Sequence, residues 1–197
     1  MKKVEDILSK KKRIDYWEGW VERHLKSPRA VALMIKKKEE LADYDSLTKV
    51  LNRRGLLNYL SVITQILARS DQRMALMFVD VDKLKKINDT EGHKAGDKVI
   101  LTVAQCLKKS IRASDFVGRW GGDEFIVVLT AVRDKLAVDK VVDRINLCLA
   151  AHTSVTIGVA YWDKKLDITG LIEIADQEMY KAKKSKTKVF IVNKDNW

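Results

Sequence analysis

Two acidic stretches hold the residues best suited to chemistry. Met77-Phe78-Val79-Asp80-Val81-Asp82 ends an apolar run in two carboxylates. Strand alternation places Asp80 and Asp82 on one face and Val81 on the other. Arg119-Trp120-Gly121-Gly122-Asp123-Glu124-Phe125 lies between two further apolar runs, Phe116-Val117 and Phe125 to Leu129. Paired glycines between such runs read as the turn of a β-hairpin. They also leave no side chain over the turn, so a ligand can approach the backbone closely. Asp123 and Glu124 follow at once, and strand neighbours point to opposite faces. Taken alone, Gly-Gly-Asp-Glu fits a plain hairpin with solvated acids. The upstream cluster changes that reading. Together the two stretches supply hard oxygen ligands suited to Mg²⁺, which usually takes one or two carboxylates and completes its shell with water and phosphate.

The surrounding sequence must position both stretches. Arg73 to Val81 is apolar on both faces, as expected of a central strand covered on each side. Before it, Asp45 to Ser70 reads as a turn and a helix, with Leu56, Leu57, Leu60, Ile63 and Ile66 on its inner face. After it come a short helix over residues 83–90, a helix over 98–111 and the hairpin over 115–130. A helix over 135–151, a strand over 154–161, a helix over 167–184 and a last short strand over 189–192 complete the pattern. Helices alternating with strands around a hairpin predict an α/β fold: a mixed central sheet with helices on both faces. Residues 1–43 read as a helical, basic extension, and residues 44–197 as the main domain. An irregular apolar stripe in the extension (Val4, Ile7, Leu8, Ile14, Trp17, Val21, Leu25) suits either a helix packed on its own domain or a dimerising one. Lys10, Lys11 and Lys12 interrupt it, which argues against a regular coiled coil. Ser27-Pro28 marks a second helix start, and Pro28, the only proline, marks the expected hinge. The extension fits equally a linker from a longer protein and a complete natural N-terminus.

The 197 residues carry a formal net charge of +11. That balance attracts polyanions in general, nucleotide phosphates included. No zinc-finger spacing or aromatic RNA-binding signature accompanies it, so nucleic acid is not the expected partner. No apolar run reaches the length of a transmembrane helix. Charges run throughout the N-terminus where a signal peptide would need an apolar core. Cys106 and Cys148 sit in separate helical patterns and read as buried thiols. The expected location is therefore cytoplasmic.

The chain from about Asp43 to Val192 resembles the GGDEF family, the diguanylate cyclases. The resemblance rests on several motifs in order: Asp45-Ser46-Leu47-Thr48 with Asn52-Arg53-Arg54, Asp80-Val81-Asp82, Lys85-Lys86-Ile87-Asn88-Asp89, Gly92-His93, Gly96-Asp97 and the glycine loop. It implies a core similar to adenylyl cyclase catalytic domains and polymerase palms. It also implies condensation of two GTP into cyclic di-GMP and two pyrophosphates, by a homodimer in which each protomer holds one GTP. Such phosphoryl transfer needs positioning and charge neutralisation more than covalent help, and a two-metal site supplies part of it. By motif position, Asp80, the Val81 carbonyl and Asp123 would hold Mg²⁺, two per active site, or Mn²⁺ in its place. Asp123 is also the usual general base, with Glu124 the alternative. Asn88 and Asp97 match the guanine readers; a carboxylate can accept from both N1–H and N2–H of guanine. Leu84, His93 and Gly121 match other substrate-pocket positions. Lys85 matches a lysine that steadies phosphate charge, and Lys183 matches a second.

Arg112-Ala113-Ser114-Asp115 resembles the family's RxxD inhibitory site, where product would bind and Arg119 could join. The sequence departs from the family pattern at three places. Leu84 stands where phenylalanine is usual, Thr156 where serine is frequent, and Ser185-Lys186-Thr187-Lys188 lacks the usual glycine. An alternative reading is therefore kept: a weak or inactive receptor that binds GTP or cyclic di-GMP. A third, nucleic-acid binding, rests on charge alone and predicts a steep salt dependence.

Overall fold

The computed structural model describes residues 42–185, 187 and 189–191. The expected N-terminal helices, and the roles of Lys186 and Lys188, lie outside the described residues. A six-stranded sheet is ordered β1-β3-β4-β2-β5-β6. In chain order the elements are β1 (Leu51–Asn52), α1 (Arg53–Leu67), β2 (Met74–Val81), α2 (Leu84–Glu91) and α3 (His93–Ser110). They continue with β3 (Phe116–Arg119), β4 (Glu124–Leu129), α4 (Lys135–Leu149), β5 (Val155–Trp162), α5 (Ile168–Ser185) and β6 (Val189–Ile191). The sheet is mixed. β2 runs antiparallel to both neighbours, β4 and β5, while the outer pairs β1/β3 and β5/β6 are parallel.

Alternation along β2 builds both halves of the core. Ala75, Met77, Val79 and Val81 pack with Ile100, Val103 and Leu107 of α3 and Val138, Val141 and Ile145 of α4. Met74, Leu76 and Phe78 pack with Leu56 and Leu60 of α1 and Leu171, Ala175 and Met179 of α5. All eight residues of β2 are buried, as a strand covered on both faces requires. β5 presses so closely on α5 that a Cβ at Gly158 would overlap Ala175 O and Met179 N.

Three expectations need correction. On α1 the buried stripe is Leu56, Leu60 and Leu67, with Ile63 packed beside it. Leu57 and Ile66 are exposed. Steps of four, three and four residues keep to one face of a 3.6-residue period, and positions 57 and 66 fall off it. Helix α3 starts at His93, five residues before the expected start, because its first turn is polar and carries no apolar period. Finally, Cys106 and Cys148 are not free thiols. They form a disulfide between α3 and α4, with Cα atoms 5.7 Å apart. Each cysteine lies on the face its helix turns to the other, a juxtaposition that a sequence separation of 42 conceals. Among the described residues no helix is long and apolar enough to cross a membrane.

Candidate active site

Even-numbered positions of β2 face α5, so Asp80, the next after Met74, Leu76 and Phe78, lies on that side at the strand's end. The register sets Glu124 of β4 directly opposite it on one flank and Thr156 of β5 on the other. Residues directly opposite in an antiparallel pair share a face. Asp80 and Glu124 are therefore cross-strand neighbours. Asp123 lies one residue outside β4, and its carbonyl accepts a hydrogen bond from Val81 N at 3.1 Å. The two acidic stretches thus meet across the central strand pair, as their sequence suggested.

Asp80 is only 7% exposed. Burial pushes its carboxyl above the ordinary value; Asp123 and Asp82 add to the effect, while the Lys183 ammonium opposes it. Lys183, in the last turn of α5, reaches Asp80 Oδ2 at 2.7 Å. Burial also raises Glu124, reinforced by Asp123, Asp80 and Asp176, again with Lys183 opposing. Asp82 has a different role from its neighbour. Ser154 Oγ donates to its Oδ2 at 2.6 Å and Thr156 Oγ1 to its Oδ1 at 2.7 Å. It ties the ends of β2 and β5 together. The threonine at position 156 keeps the hydroxyl that this contact needs.

The glycine loop is held from outside. Arg119 donates to Gly122 O from Nη2 at 2.6 Å and from Nε at 3.2 Å. Its Nη1 reaches Asp45 Oδ1 at 3.3 Å. Thr48 donates to the same Asp45 oxygen from its backbone N at 2.8 Å and from Oγ1 at 2.6 Å. Burial pushes the Asp45 carboxyl up, but the bonds from Thr48 and then Arg119 outweigh it and hold the carboxyl below its ordinary value. Trp120 flanks the loop, edge-on to Phe78 and beneath the guanidinium of Arg53, 4.1 Å from its ring centre. Inside the loop a Cβ at Gly121 would meet Glu124 Oε2 at 2.5 Å, whereas one at Gly122 would meet nothing within 4 Å. Gly121 thus leaves room for the Glu124 carboxylate to lie over the loop, and Gly122 leaves its outer side open.

The residues matched to guanine reading come together on α2 and α3. Lys83 takes the left-handed conformation (φ +60°) and turns the chain out of β2 into α2. Gly92, at φ +84°, turns it again into α3. A Cβ at Gly96 would overlap Asn88 Oδ1. The Asn88 amide thus rests against the α3 backbone immediately before Asp97. His93 lies one turn before Asp97 and is exposed, as are Asp97 and Lys85. Leu84, the first residue of α2, packs on the α3/α4 side of the core.

Arg112 and Asp115 line a concavity of about 270 Å³, with Arg133, Lys140 and Arg144 around it. Asp115 also organises its own loop. Its Oδ2 accepts from Arg112 N at 3.0 Å and its Oδ1 from Thr130 N at 2.9 Å. Arg119, expected beside this pair, is not among the lining residues; its guanidinium holds the glycine loop instead. Asp45, bonded to Arg119, and Asp176, which adds negative charge near Glu124, belong to the site although neither stands out in the sequence as a functional residue. Among the described residues no three His, Cys, Asp or Glu side chains converge into a ready metal cage. The donor set nonetheless suits a hard cation: two carboxylates, Asp80 and Asp123, and the carbonyl of Val81, the last residue of β2.

The family described as diguanylate cyclase, GGDEF domain, matches residues 42–188. The diguanylate cyclase DosC of Escherichia coli (strain K12) is 37% identical over 150 residues, which cover 71% of this chain and 33% of DosC. This chain thus spans about a third of that relative's length. The GGDEF domain of TpbB from Pseudomonas aeruginosa (PAO1) superposes with a TM-score of 0.72 at 32% identity, covering 76% of this chain and 94% of that one. A microbial GGDEF domain described in its interaction with cyclic di-GMP gives a TM-score of 0.71 at 32% identity, covering 78% and 99%. With the motifs in order and the sheet and helices superposed, the chain belongs to the GGDEF domain family of diguanylate cyclases.

Proposed function

We propose that this protein is a diguanylate cyclase that condenses two GTP into cyclic di-GMP and two pyrophosphates. The observation that carries the reading is the register of β2 on β4, which sets Asp80 against Glu124, with Asp123 next in sequence, beside a loop open at Gly122. Asp80, the Val81 carbonyl and Asp123 would hold Mg²⁺, two ions per site, or Mn²⁺. The bound ions would lower the pKa of the attacking 3′-hydroxyl and neutralise charge on the leaving pyrophosphate.

The chain's own residues do the positioning. Asn88 and Asp97 accept and donate along the guanine edge, which selects GTP over ATP because adenine lacks that donor pair. Leu84 and His93 border the base. Gly121 and Gly122 admit the phosphates to the backbone, and Lys85 and Lys183 steady their charge. Asp123 takes the hydroxyl proton, with Glu124 as the alternative acceptor. Each protomer of a homodimer presents one GTP, so the 3′-hydroxyl of each attacks the α-phosphate of the other. Product returns to the concavity at Arg112 and Asp115 as an inhibitor. That concavity, with its arginines and lysine, also supports the second reading, a receptor that binds cyclic di-GMP without turnover.

The test is incubation with GTP and Mg²⁺, separation of the nucleotides by chromatography, and Asp123→Ala alongside. Cyclic di-GMP from the wild type alone is the expected result. Undiminished turnover per protomer on dilution to monomer would overturn the half-site arrangement. Tight cyclic di-GMP binding that is lost in Arg112→Ala, without any turnover, would favour the receptor.

A further inference from the structure

The ion pair between Lys183 and Asp80 is a feature the reaction itself does not require. Resting on the metal-dependent reading above, we propose that Lys183 is a resident counter-ion for Asp80, displaced by the incoming divalent cation and then taken up by the GTP phosphates. A carboxylate buried as deeply as Asp80 is costly unless a positive charge compensates it. Lys183 supplies that charge by direct contact at 2.7 Å. Asp123 and Asp82 add negative charge around Asp80, and Asp123 and Asp176 do so around Glu124; among the described residues, Lys183 is a cation that acts on both Asp80 and Glu124.

Neighbouring lysines of α5 are directed elsewhere. Lys181 Nζ lies 2.6 Å from Glu178 Oε1, and Lys184 stands over the Tyr180 ring, 4.6 Å from its centre. This singles out Lys183 from the described part of a lysine-rich run that sequence alone could not rank.

The geometry allows exchange without refolding. The backbone of α5 is fixed where it meets Gly158, so the helix cannot readily shift. The Lys183 side chain is 41% exposed and swings on a flexible four-carbon stem. A divalent ion held by the Asp80 carboxylate would compete with the ammonium for it and repel it. A triphosphate offers the displaced ammonium a new partner. Metal and nucleotide affinities must then be coupled, each raising the other by the same factor.

The test is Mn²⁺ binding to the full chain, followed by the electron paramagnetic resonance signal of the free ion, with and without a non-reacting GTP analogue. Without nucleotide, Lys183→Gln and Lys183→Met should each bind Mn²⁺ roughly two- to fivefold more tightly than wild type. Both should lose most of the tightening that the analogue gives the wild type. Two variants of different shape separate the loss of charge from a packing effect, and circular dichroism confirms that each is folded. If binding requires Asp80 (lost in Asp80→Asn) but neither Lys183 variant binds more tightly, this proposal fails while the metal reading stands. If Asp80→Asn binds Mn²⁺ as well as wild type, or wild type binds none even with the analogue, the metal reading fails and this proposal with it.

Discussion

Reducing the Cys106–Cys148 disulfide should remove a large fraction of the domain's stability while leaving its folded form in place. The bond closes a loop across a sequence separation of 42. Loop-closure entropy for that length gives about 4 kcal/mol at 25 °C, felt mainly as freedom returned to the unfolded chain. A domain of this size is stable by only about 5–15 kcal/mol in total. The native arrangement does not depend on the bond alone. Arg144 donates to Ser110 O from Nε at 3.0 Å and Nη2 at 2.7 Å, which pins α4 to the end of α3. Val103, Leu107, Val141 and Ile145 belong to the same packed core. Reduced Cys106, at 5% exposure, behaves as a small apolar side chain and leaves no costly buried charge.

The assay is urea unfolding by far-ultraviolet circular dichroism, with and without a phosphine reductant. At a slope of about 2 kcal/mol per molar, the midpoint should fall by about 2 M, and the slope should rise as the unfolded chain, freed of its crosslink, exposes more surface. Alkylation in denaturant without reductant should label neither cysteine. Coincident midpoints for the oxidised and reduced protein would refute the entropic argument. Full alkylation without reductant would refute the bond itself and restore the reading of two free thiols.

Other outcomes follow from single contacts. Gly96→Ala should weaken GTP binding roughly tenfold by pushing Asn88 off α3, while the melting temperature changes little because alanine favours the helix by about 1 kcal/mol; calorimetry that shows unchanged affinity would remove Asn88 from base recognition. Arg119→Ala should cost about 1 kcal/mol in urea unfolding, since it removes the bonds from Arg119 to Gly122 O and to Asp45 while Asp45 keeps those from Thr48. Asp45 and Glu124 should respond to acid in opposite directions. The Asp45 carboxyl is held below its ordinary 3.8, so its stabilisation is present above that pH and is lost as pH falls through the folded value. Glu124 is raised above its ordinary 4.5, so stability declines as pH climbs from that value through the folded one. Glu124→Gln should therefore unfold at higher urea than wild type at pH 7 and at the same urea at pH 3.

Much of this was legible in the chain because it is periodic. β2 is apolar at every position before Asp80, which marks a central strand, and the Val138, Val141, Val142, Ile145, Leu149 stripe gave the inner face of α4 as observed. What was not legible lacked a period. The first turn of α3 is polar because His93 and Asp97 face outward, so hydropathy placed the helix start five residues too late. The cysteine pairing depends on which two helices share a layer, and composition is silent on that. Arg119 is the last residue of a short strand, yet its role comes from the Asp45 turn, 74 residues away in sequence.

The same parity of β2 explains why the site has an internal cation. Its odd positions face α3 and α4 and its even ones face α1 and α5, so a carboxylate at 80 must emerge beneath α5, whatever ligand it serves. Burial there makes an uncompensated charge expensive, and the last turn of α5 supplies a cation, Lys183. A carboxylate at 81 would instead have pointed into the packed layer of Val103 and Ile145. The alternation Asp-Val-Asp thus separates three tasks on consecutive residues. Asp80 is presented to a cation under α5, Val81 closes the α3/α4 core with its side chain while its carbonyl stays at the strand end, and Asp82 locks β2 to β5 through Ser154 and Thr156. Shifting the register of β2 by one residue would exchange the faces and undo all three tasks at once.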